Sequence, residues 1–514
     1  PSNSSAASDV YKRQIIADLE QKVKERRKHS LEVPKEEGGH FHDYFCPVHN
    51  LQFTFRWDKP LAQYCSACDK EWIGNNRYDW AWIYEVHMLN RDYMYQCMYL
   101  YLATGKRQYA DYIRTMLLDY AGKYAGWFEH NSGRKATDQH SGKAFAQSLD
   151  EANWATKVAM AYMAIKPVLS KEEVKAIEEG YLQPAATLLL HRPAGANWQM
   201  WHNSGLAALG IALENDSIVD VAINKDKYGY HYLIGKHKNS DGWINEGSPH
   251  YHYYPLEALL FTANAVKCRG IKLFDKDLHD MFVEPVKGTY PDLSFPAHSD
   301  GWYGANLLSQ SALYEVGNAR YNDPFLKRVL ELTYAQKKRL DPEALLSNQL
   351  IKASEESLLQ KSYSFDTSGF CLLRSDTRTV VLKFGGEGIG HGHPDKLSIT
   401  IHDGKNELVS DFGTSGYGVP DYLKWYKRTL SHNTVTVDAK DQKRSVGKLL
   451  KFNPRSDGGY AEAETTTAYP GVRMKRSLDL KGTHLQDVYT CTSDSSHLYL
   501  SLIHISEPTR HSLI

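Results

Sequence analysis

The sequence predicts a multidomain protein in which a domain of paired α-helices precedes an antiparallel β-sandwich. Three observations lead to this prediction. The chain has 514 residues, which is too long for one ordinary hydrophobic core. Apolar residues recur every three or four positions between about residues 78 and 350, and at every second position from about residue 363 onward. The first period is typical of helices and the second of strands, so the two halves are expected to fold differently.

Both ends of the chain read like sequence that is foreign to the protein. Residues 4–14 are SSAASDVYKRQ and residues 500–510 are LSLIHISEPTR, and both match in-frame translations of sequencing-library adapters. We therefore interpret residues 1–14 and 500–514 as adapter artefacts and set them aside, as one would a tag. The alternative is an ordinary tail. On the artefact interpretation, any signal peptide and the end of the β-sandwich are missing, so the sandwich is truncated at the C-terminus.

Charge and composition exclude several classes of protein. Lys plus Arg and Asp plus Glu both number 61, and no basic stripe stands out, so a nucleic-acid partner is not expected. An acidic ligand would have to be recognised by local positive charge. The sequence has no run of about 18 apolar residues, so no membrane span is expected. Seven Cys residues are too sparse for a disulfide scaffold in a chain of this length.

The N-terminal segment, residues 15–77, contains two closely spaced pairs of metal-binding residue types. Cys46 and His49 form one pair, and Cys65 and Cys68 form the other. Four soft ligands on two tight turns suit a tetrahedral zinc ion with no open position, which would be structural. The alternative is a β-hairpin with unpaired cysteines.

The helical half consists of apolar segments that are separated by helix-ending residues. We predict helices over residues 80–102, 109–120, 151–165 and 172–190, and over the stretches IVDVAIN and FLKRVLELTY. Breaks are predicted at residues 103–106, 214–216 and 316–318, because Gly or Asn after a helix supplies a left-handed cap. Repeated helical hairpins of this kind stack as a solenoid or close into an α/α toroid.

The β half alternates apolar and polar residues. Leu397, Ile399 and Ile401 alternate with polar neighbours, and the stretches TVVLKF, NTVTVD, GKLLKF, YAEAETTT and MKRSLDL follow the same pattern. Asp403-Gly404 between two such stretches predicts a hairpin turn. The polar stretch over residues 353–364 is the predicted linker between the two halves.

Four clusters place titratable side chains in apolar or Gly-rich surroundings. Each has an ordinary structural explanation, such as a helix N-cap at Asn197 or an aromatic helix face packed in the core. Together they indicate a functional site, because buried polar groups need partners and perturbed groups gather at sites. The clusters are NWQMWHNSG at 197–205, DGWINEGSPHYHYYPL at 241–256, HGHPDKLSITIHDGKNELVSDFGTSGYG at 391–418 and RTLSHNTVTVD at 428–438.

These four stretches resemble the heparinase II/III superfamily of polysaccharide lyases, which includes heparan-type and alginate lyases. The resemblance implies an α/α toroid (an incomplete helical-hairpin barrel) over residues 78–355 and a heparinase II/III-like β-sandwich over residues 356–499. It implies a bacterial periplasmic or secreted enzyme that cleaves a uronate-containing polysaccharide, such as alginate or heparan sulfate, by β-elimination. A homodimer is compatible with it.

The resemblance also implies roles for individual residues. Asn197 matches the residue that binds the uronate carboxylate, Tyr251 the catalytic tyrosine and His391 the catalytic histidine from the sandwich. His202 ranks below these three, and Tyr254 replaces Tyr251 if the alignment shifts by one helical turn. Trp198 stands where some relatives have His. The expected substrate-binding residues are Gln147, Arg192, Trp201, Glu246, Tyr254 and Tyr417.

A second zinc ion is implied in the sandwich, held by His393, Asp411 and His432. Two histidines and one carboxylate are a sound ligand set for zinc, which by resemblance braces the sandwich loops and is not the catalyst. His391 and His393 would point the same way in a regular strand, so Gly392 must leave the ideal pleat if the two serve different sites. The alternative is a hydrogen-bonded His/Asp network without metal.

The chemistry of β-elimination needs three kinds of group. The uronate carboxylate must be neutralised, a base must take the weakly acidic C5 proton, and an acid must protonate the leaving oxygen. Asn, His and Tyr supply these functions. A glycoside hydrolase would instead need two carboxylates across a cleft, and a glycan-binding protein without catalysis is a third class. The carboxylates available for hydrolysis are Asp150, Glu151, Asp241, Glu246 and Asp300.

Overall fold

The structure is a computed structural model that describes residues 3–134, 139–347, 349–354, 358, 361–386, 390–417 and 419–503, with side chains described from residue 10 onward. Residues 1, 2 and 504–514 of the predicted artefacts, and the predicted domain boundary between residues 355 and 356, lie outside these residues. The chain divides into two compact units. Unit 1 comprises Pro1–Gly235, Pro255–Asp275 and Lys338–Leu350, and unit 2 comprises Lys236–Tyr254, Lys276–Lys337 and Ile351–Ile514.

Helices occupy most of the chain before residue 340. The α-helices are Asn3–Arg26, Asn76–Thr104, Arg107–Tyr124, Ser148–Ile165, Lys171–Ile177, Gln183–Leu190, Ala196–Ala212, Asp216–Asn224, Tyr230–His237, His250–Val266, Lys276–Val283, Ser311–Tyr321 and Pro324–Gln336. Short 3-10 helices are Phe41–Asp43, Lys166–Val168, Lys267–Arg269, Pro285–Gly288, Leu307–Gln310, Pro342–Leu346 and Thr429–Ser431. Two π-helical turns are Glu178–Leu182 and Tyr422–Tyr426. All the predicted helices are present.

The helix Asn76–Thr104 shows how sequence signals set helix ends. The Asn75 side chain accepts a hydrogen bond from the Arg77 backbone N–H at the start. Gly105 has φ 67° at the other end, and its backbone N–H donates to the Tyr101 carbonyl. The predicted break at residues 103–106 is therefore confirmed, because glycine adopts the left-handed cap without a Cβ penalty.

The predicted helix break at residues 316–318 is wrong. The helix Ser311–Tyr321 runs through these residues and ends at Asn322, which is left-handed with φ 50°. Gly317 lies inside the helix for a packing reason. A Cβ atom there would come within 2.9 Å of the Phe282 ring, so glycine allows close packing rather than a turn.

The N-terminal helix Asn3–Arg26 was not predicted, because its first residues had been set aside. Ile15, Leu19 and Val23 are buried at a spacing of four residues. That spacing places them on one helix face, and it was the signal available in the sequence.

The C-terminal half contains an eight-stranded antiparallel sheet. Its main path, in spatial order, is His484–Ser493, Val472–Lys481, Gly458–Tyr469, Phe370–Arg374, Thr379–Lys383, Ser398–His402 and Glu407–Val409, with Tyr363–Phe365 beside Phe370–Arg374. Val435–Val437 pairs with Tyr499–Ser501, Ala62–Cys65 pairs with Lys70–Ile73, and Lys448–Arg455 is a further strand. The predicted helical region followed by an antiparallel β domain is therefore confirmed.

The core of this β domain comes from alternating residues of the strands. Leu373, Leu382, Met474 and Leu478 are fully buried in one cluster. The predicted Asp403-Gly404 turn joins Ser398–His402 to Glu407–Val409, and Gly404 has φ 92° there. This positive φ explains why the turn needs glycine.

No helix among the described residues has the length and apolar character needed to cross a bilayer.

Candidate active site

The helix His250–Val266 places Tyr251 in its first turn. The Tyr251 backbone N–H donates to the Ser248 hydroxyl at 3.3 Å, which ties the turn to the preceding loop. His252 fixes the same turn from the other side, because its Nδ1 accepts from the Ile244 N–H and its Nε2 lies 2.8 Å from the Met281 carbonyl oxygen. Burial lowers the pKa of His252 to about 4, so this histidine is a neutral structural tie.

Tyr251 meets two predicted site residues of the same unit. Its ring stacks on His391 with centroids 3.5 Å apart and planes at 13°. Its hydroxyl lies 2.5 Å from the Tyr417 hydroxyl, and Tyr417 in turn lies 3.0 Å from His391 Nδ1. Predicted residues from two of the four sequence clusters, residues 241–256 and 391–418, therefore form one cluster of titratable groups.

Asp300 joins this cluster, and its role was missed at the sequence level, where it appeared only as a carboxylate for hydrolysis. Its Oδ2 lies 2.9 Å from His391 Nδ1 and accepts from the hydroxyls of Tyr417 and Tyr422, each at 3.0 Å. Its Oδ1 lies 2.8 Å from His393 Nε2. Asp300 is fully buried, so four hydrogen-bonding groups converge on one desolvated carboxylate.

Glu246 and Lys427 complete the surroundings of the cluster. The Glu246 carboxylate lies 3.5 Å from His391 Nε2, on the opposite side of the ring from Asp300. Lys427 donates to the Tyr422 hydroxyl at 3.1 Å and to the Gly390 carbonyl at 2.8 Å. Neither Tyr422 nor Lys427 was predicted. The π-helical turn Tyr422–Tyr426 that carries Tyr422 is a type of turn that is common at functional sites.

The surroundings of the cluster keep Tyr251 protonated and Asp300 ionised. Burial raises the pKa of Tyr251, and the neighbouring Asp300 charge adds to this, so the phenol stays protonated at neutral pH. Burial alone would also raise the pKa of Asp300. The hydrogen bonds from His391 and His393 outweigh burial and hold that pKa below its usual value, so Asp300 is an anion.

The loop that carries Asp300 is held in an unusual backbone conformation. Ser299 has φ 56°, a left-handed value that costs a non-glycine residue on the order of 1 kcal/mol. Its hydroxyl accepts from the buried Lys383 ammonium, which also pairs with Asp395. A buried ion pair therefore supports the strained residue next to Asp300.

The predicted sandwich zinc residues lie in the same unit, but their ligand atoms do not all lie within 4.8 Å of one another. His432 Nδ1 lies 2.8 Å from Asp411, and the rings of His393 and His432 are 5.2 Å apart. His393 Nδ1 and His432 Nε2 are buried, and neither has a hydrogen-bond partner among the described residues. These two nitrogens could bind a metal, and a carboxylate contacts the other nitrogen of each ring, Asp300 in His393 and Asp411 in His432.

His391 and His393 both contact Asp300, one on each of its carboxylate oxygens. Residues 391–393 are not part of a described strand, so no regular pleat has to be broken at Gly392.

The N-terminal pairs form a compact cluster in unit 1. Cys46 Sγ lies 3.6 Å from Cys68 Sγ and 3.9 Å from His49 Nδ1, and Cys65 Sγ lies 4.0 Å from His49 Nδ1. A tetrahedral zinc with Zn–S bonds of about 2.3 Å needs ligand atoms about 3.8 Å apart. Within the described part of the chain, this is the one group of three or more such residues whose ligand atoms all lie within 4.8 Å of one another.

Unit 1 carries the other predicted catalytic residues on the helix Ala196–Ala212. Asn197 is its second residue and is buried, and it follows Ala196, which has φ 47°. Trp201 and His202 are also buried, and burial lowers the pKa of His202 to about 4, so it is neutral. Farther along the helix, the Gln199 amide N–H donates to the Asn203 amide oxygen.

Two further predicted substrate-binding residues have protein partners. Arg192 forms an ion pair with Glu129. Tyr254 stacks on His250 with ring centroids 6.0 Å apart. Gln147 is the N-cap residue of the helix Ser148–Ile165.

One sequence feature could have indicated that Asp300 accepts hydrogen bonds. Asp300-Gly301-Trp302 repeats the Asp241-Gly242-Trp243 motif of the predicted cluster. In the structure Asp241 accepts hydrogen bonds from Ser368, so both motifs use their aspartate as an acceptor.

Comparison with known families identifies both halves of the chain. The alginate lyase family matches residues 86–283. The heparinase II/III-like C-terminal family matches residues 358–508. The two matches overlap neither each other nor the N-terminal Cys/His cluster.

Individual proteins show the same likeness. The chain is 30% identical over 77% of its length to an alginate lyase of Stenotrophomonas maltophilia, and 26% identical over 77% to an exo-oligoalginate lyase of Saccharophagus degradans. It spans 58% and 59% of the length of these two relatives.

A solved structure, the heparan sulfate lyase HepC from Pedobacter heparinus, has a TM-score of 0.56 at 16% identity, covering 94% of this chain and 74% of that one. This likeness shows the fold alone, and it confirms the predicted fold class. Residues 86–283 therefore match the alginate lyase family and residues 358–508 match the heparinase II/III-like C-terminal family, which confirms the resemblance that the motifs indicated.

Proposed function

We propose that the protein is a polysaccharide lyase that cleaves a uronate-containing polysaccharide by β-elimination. Alginate is the first candidate substrate, because the two relatives described above are named alginate lyases. A glycosaminoglycan such as heparan sulfate is the second, since a heparan sulfate lyase shares the fold. The observation that carries the proposal is the contact of the Tyr251 ring and hydroxyl with His391 and Tyr417.

Two groups of this cluster would exchange protons with the substrate. His391 accepts the C5 proton, the C5–H electron pair forms the C4–C5 double bond, and the C4–O bond breaks. Tyr251, a neutral phenol because burial raises its pKa, gives its proton to the leaving oxygen. The proton held by His391 then returns to the Tyr251 phenolate and restores the site. By its match to the family motif, the Asn197 amide neutralises the uronate carboxylate.

A glycoside hydrolase is less well supported by the same cluster. Its general acid needs a carboxyl group with a raised pKa. Asp300 has a lowered pKa and is occupied by two histidines and two tyrosines. Asp300 therefore accepts hydrogen bonds rather than holds an acidic proton.

Digestion in water enriched in heavy oxygen distinguishes the two reactions. Elimination adds no water, so the oligosaccharide products should carry no heavy oxygen and should be one water lighter than hydrolysis products. Mass spectrometry of alginate digests reads out both properties. Incorporation of one heavy oxygen per cleavage would reject the lyase and favour a hydrolase.

We also propose that zinc is the metal at the Cys46, His49, Cys65 and Cys68 cluster and at His393, Asp411 and His432. In the first site zinc would cross-link the two turns around the hairpin Ala62–Cys65 and Lys70–Ile73. In the second it would tie the two histidine segments of the β domain together. Bound zinc supplies coordination in both places, and the proton transfers remain with the protein residues.

The two zinc proposals are tested separately by metal analysis. Plasma mass spectrometry should find two zinc ions per purified chain, one after Cys65→Ser and one after His432→Ala. Full zinc content after either substitution would rule out that site.

The remaining expectations are proposals of the same kind. The family suggests that the enzyme works in the periplasm or outside the cell, where its polymer substrate is found, and that it forms a homodimer. We keep the predicted domains at residues 15–77, 78–355 and 356–499. Sedimentation of the purified protein measures the oligomeric state directly.

A further inference from the structure

We propose that Asp300 is a positioning residue that fixes the ring orientation and the tautomer of His391. The proposal deepens the proposed lyase function and rests on it for its kinetic consequence. Its structural part concerns only residues of unit 2.

The first argument is the number of contacts that tie Asp300 to the His391 segment. The side chain Oδ2 lies 2.9 Å from His391 Nδ1. The Asp300 backbone N–H donates to the His391 carbonyl at 3.0 Å. Side chain and main chain therefore hold the same histidine, which fixes both the position of its backbone and the rotation of its ring.

The second argument concerns the direction of the hydrogen bonds. The two oxygens of Asp300 have four hydrogen-bonding partners, and a carboxylate accepts from all four only if it has no proton of its own to give. His391 must therefore carry a proton on Nδ1 and donate it to Asp300. Nε2 on the far side of the ring, 3.5 Å from Glu246, is then the nitrogen that exchanges a proton with a substrate.

The third argument is that Asp300 orients Tyr251 through Tyr417. The Tyr417 hydroxyl has one proton, and Asp300 Oδ2 accepts it at 3.0 Å. The Tyr417 oxygen then accepts from Tyr251, whose hydroxyl lies 2.5 Å away. One carboxylate thus sets the proton positions of both groups that act in the proposed reaction.

The supporting loop is consistent with this role. Asp300 follows the left-handed Ser299 and precedes Gly301, whose added Cβ would come within 2.9 Å of the His298 carbonyl oxygen. Strain of this kind is retained where the surroundings hold a residue in one functional position.

The test is Asp300→Asn, which keeps size and shape. An amide has one acceptor and one donor side, so it cannot accept from both histidines and both tyrosines. Nitrogen NMR of histidine-labelled protein at alkaline pH, with the His391 signals identified by their loss in His391→Gln, reports the tautomer. We expect the Nδ1–H form in the wild-type protein and a shift toward the Nε2–H form in Asp300→Asn.

Kinetics provide the second readout. By analogy with other carboxylate–histidine pairs, kcat should fall on the order of 10²- to 10⁴-fold while KM changes less than about threefold. Asp403→Asn, a turn carboxylate that bonds to the backbone N–H groups of Lys405 and Asn406, is the matched control and should keep full activity.

The proposal stands only if the tautomer and kcat both change in Asp300→Asn. An unchanged tautomer, an unchanged kcat, or an Nε2–H form in the wild-type protein overturns it. If the variant does not fold, the wild-type tautomer alone decides. Absence of activity in the wild-type protein would reject the proposed function instead, and the NMR result would still decide the role of Asp300.

Discussion

At the scale of single residues, Tyr251 and Tyr254 lie on the same helix but have different partners. Tyr251 contacts His391 and Tyr417, whereas Tyr254 stacks on His250. The sequence motif left both as candidates for the catalytic tyrosine. The structure gives only Tyr251 described contacts with the histidine and tyrosine of the candidate site.

Substitution of each tyrosine by phenylalanine separates their roles. Tyr251→Phe should lower kcat/KM by on the order of 10³-fold, because it removes the proton donor and keeps the ring stack. Tyr254→Phe, the matched control, should change kcat/KM by less than about tenfold. The measurement is initial rates on the best substrate. A larger loss of kcat/KM in Tyr254→Phe than in Tyr251→Phe would show that Tyr254, and not Tyr251, is the catalytic tyrosine.

A second residue-scale prediction concerns Asp150 in unit 1. Burial raises its pKa to about 7, the Tyr84 hydrogen bond opposes this, and the Glu151 charge adds to it. An unfolded aspartate has a pKa near 3.9, so the native state holds the proton more tightly. The stabilisation is complete below about pH 4 and is lost as pH rises to about 7, with a slope of at most about 1.4 kcal/mol per pH unit.

Asp150→Asn removes this titration. The melting temperature of the wild-type protein, relative to that of the variant, should therefore fall between pH 5 and pH 7.5. Thermal unfolding of both proteins at the two pH values measures the difference. The same pH dependence in both proteins would show that Asp150 ionises as freely in the native as in the unfolded state.

At the scale of elements, two loops of unit 2 approach each other closely enough to require glycine. The Thr414 N–H donates to the Gly301 carbonyl at 2.9 Å, which joins the Asp300 loop to the segment that leads to Tyr417. Gly413 has φ 57°, and a Cβ there would lie 1.9 Å from the Gly301 oxygen. This contact brings Asp300 and Tyr417 together.

Gly413→Ala should therefore separate the loops. We expect a loss of several kcal/mol of unfolding free energy and of most activity, because the Cβ meets backbone oxygen that cannot move freely. Gly404→Ala is the control. It also has a positive φ, of 92°, but open space around it, so it should cost only about 1–2 kcal/mol. Denaturant unfolding compares the two variants, and equal losses would contradict the loop contact.

The spacing of apolar residues predicted the helices and strands better than glycine and asparagine predicted where the helices end. The helices and strands were found because their apolar residues repeat at fixed spacing. Gly317 was misread because a glycine that ends a helix and a glycine that admits Phe282 look alike in one sequence. Only the packing partner, 35 residues earlier in the chain as residue numbers 282 and 317 show, distinguishes the two cases.

In the candidate site too, local motifs could be predicted from the sequence, whereas contacts between distant residues could not. Tyr251, His391 and Tyr417 were predicted from motifs, and the structure brings them together. The sequence did not predict Asp300 as the shared hydrogen-bond acceptor of the site. Its partners His391 and Tyr422 lie about 90 and 120 residues away in the sequence, and only the fold brings them to it. Short spacing predicted the cysteine cluster well, since its ligands lie on two adjacent turns.

At the scale of the whole molecule, family assignment and site chemistry agree. The alginate lyase and heparinase II/III-like matches cover the helical and β regions, and the described site contains tyrosine, histidine and an acceptor carboxylate. Each unit contributes predicted residues of its own: Asn197 lies in unit 1, and Tyr251 and His391 lie in unit 2. The central claim is that such a chain performs β-elimination.

The most direct test of this claim is ultraviolet absorbance of the unsaturated uronate product, measured on a panel of acidic polysaccharides that includes alginate and heparan sulfate. The account predicts a rise in absorbance on at least one of them, largest on alginate, which Tyr251→Phe and His391→Ala both abolish. New reducing ends without any rise in absorbance on every polymer, or a rise that survives both substitutions, would contradict it.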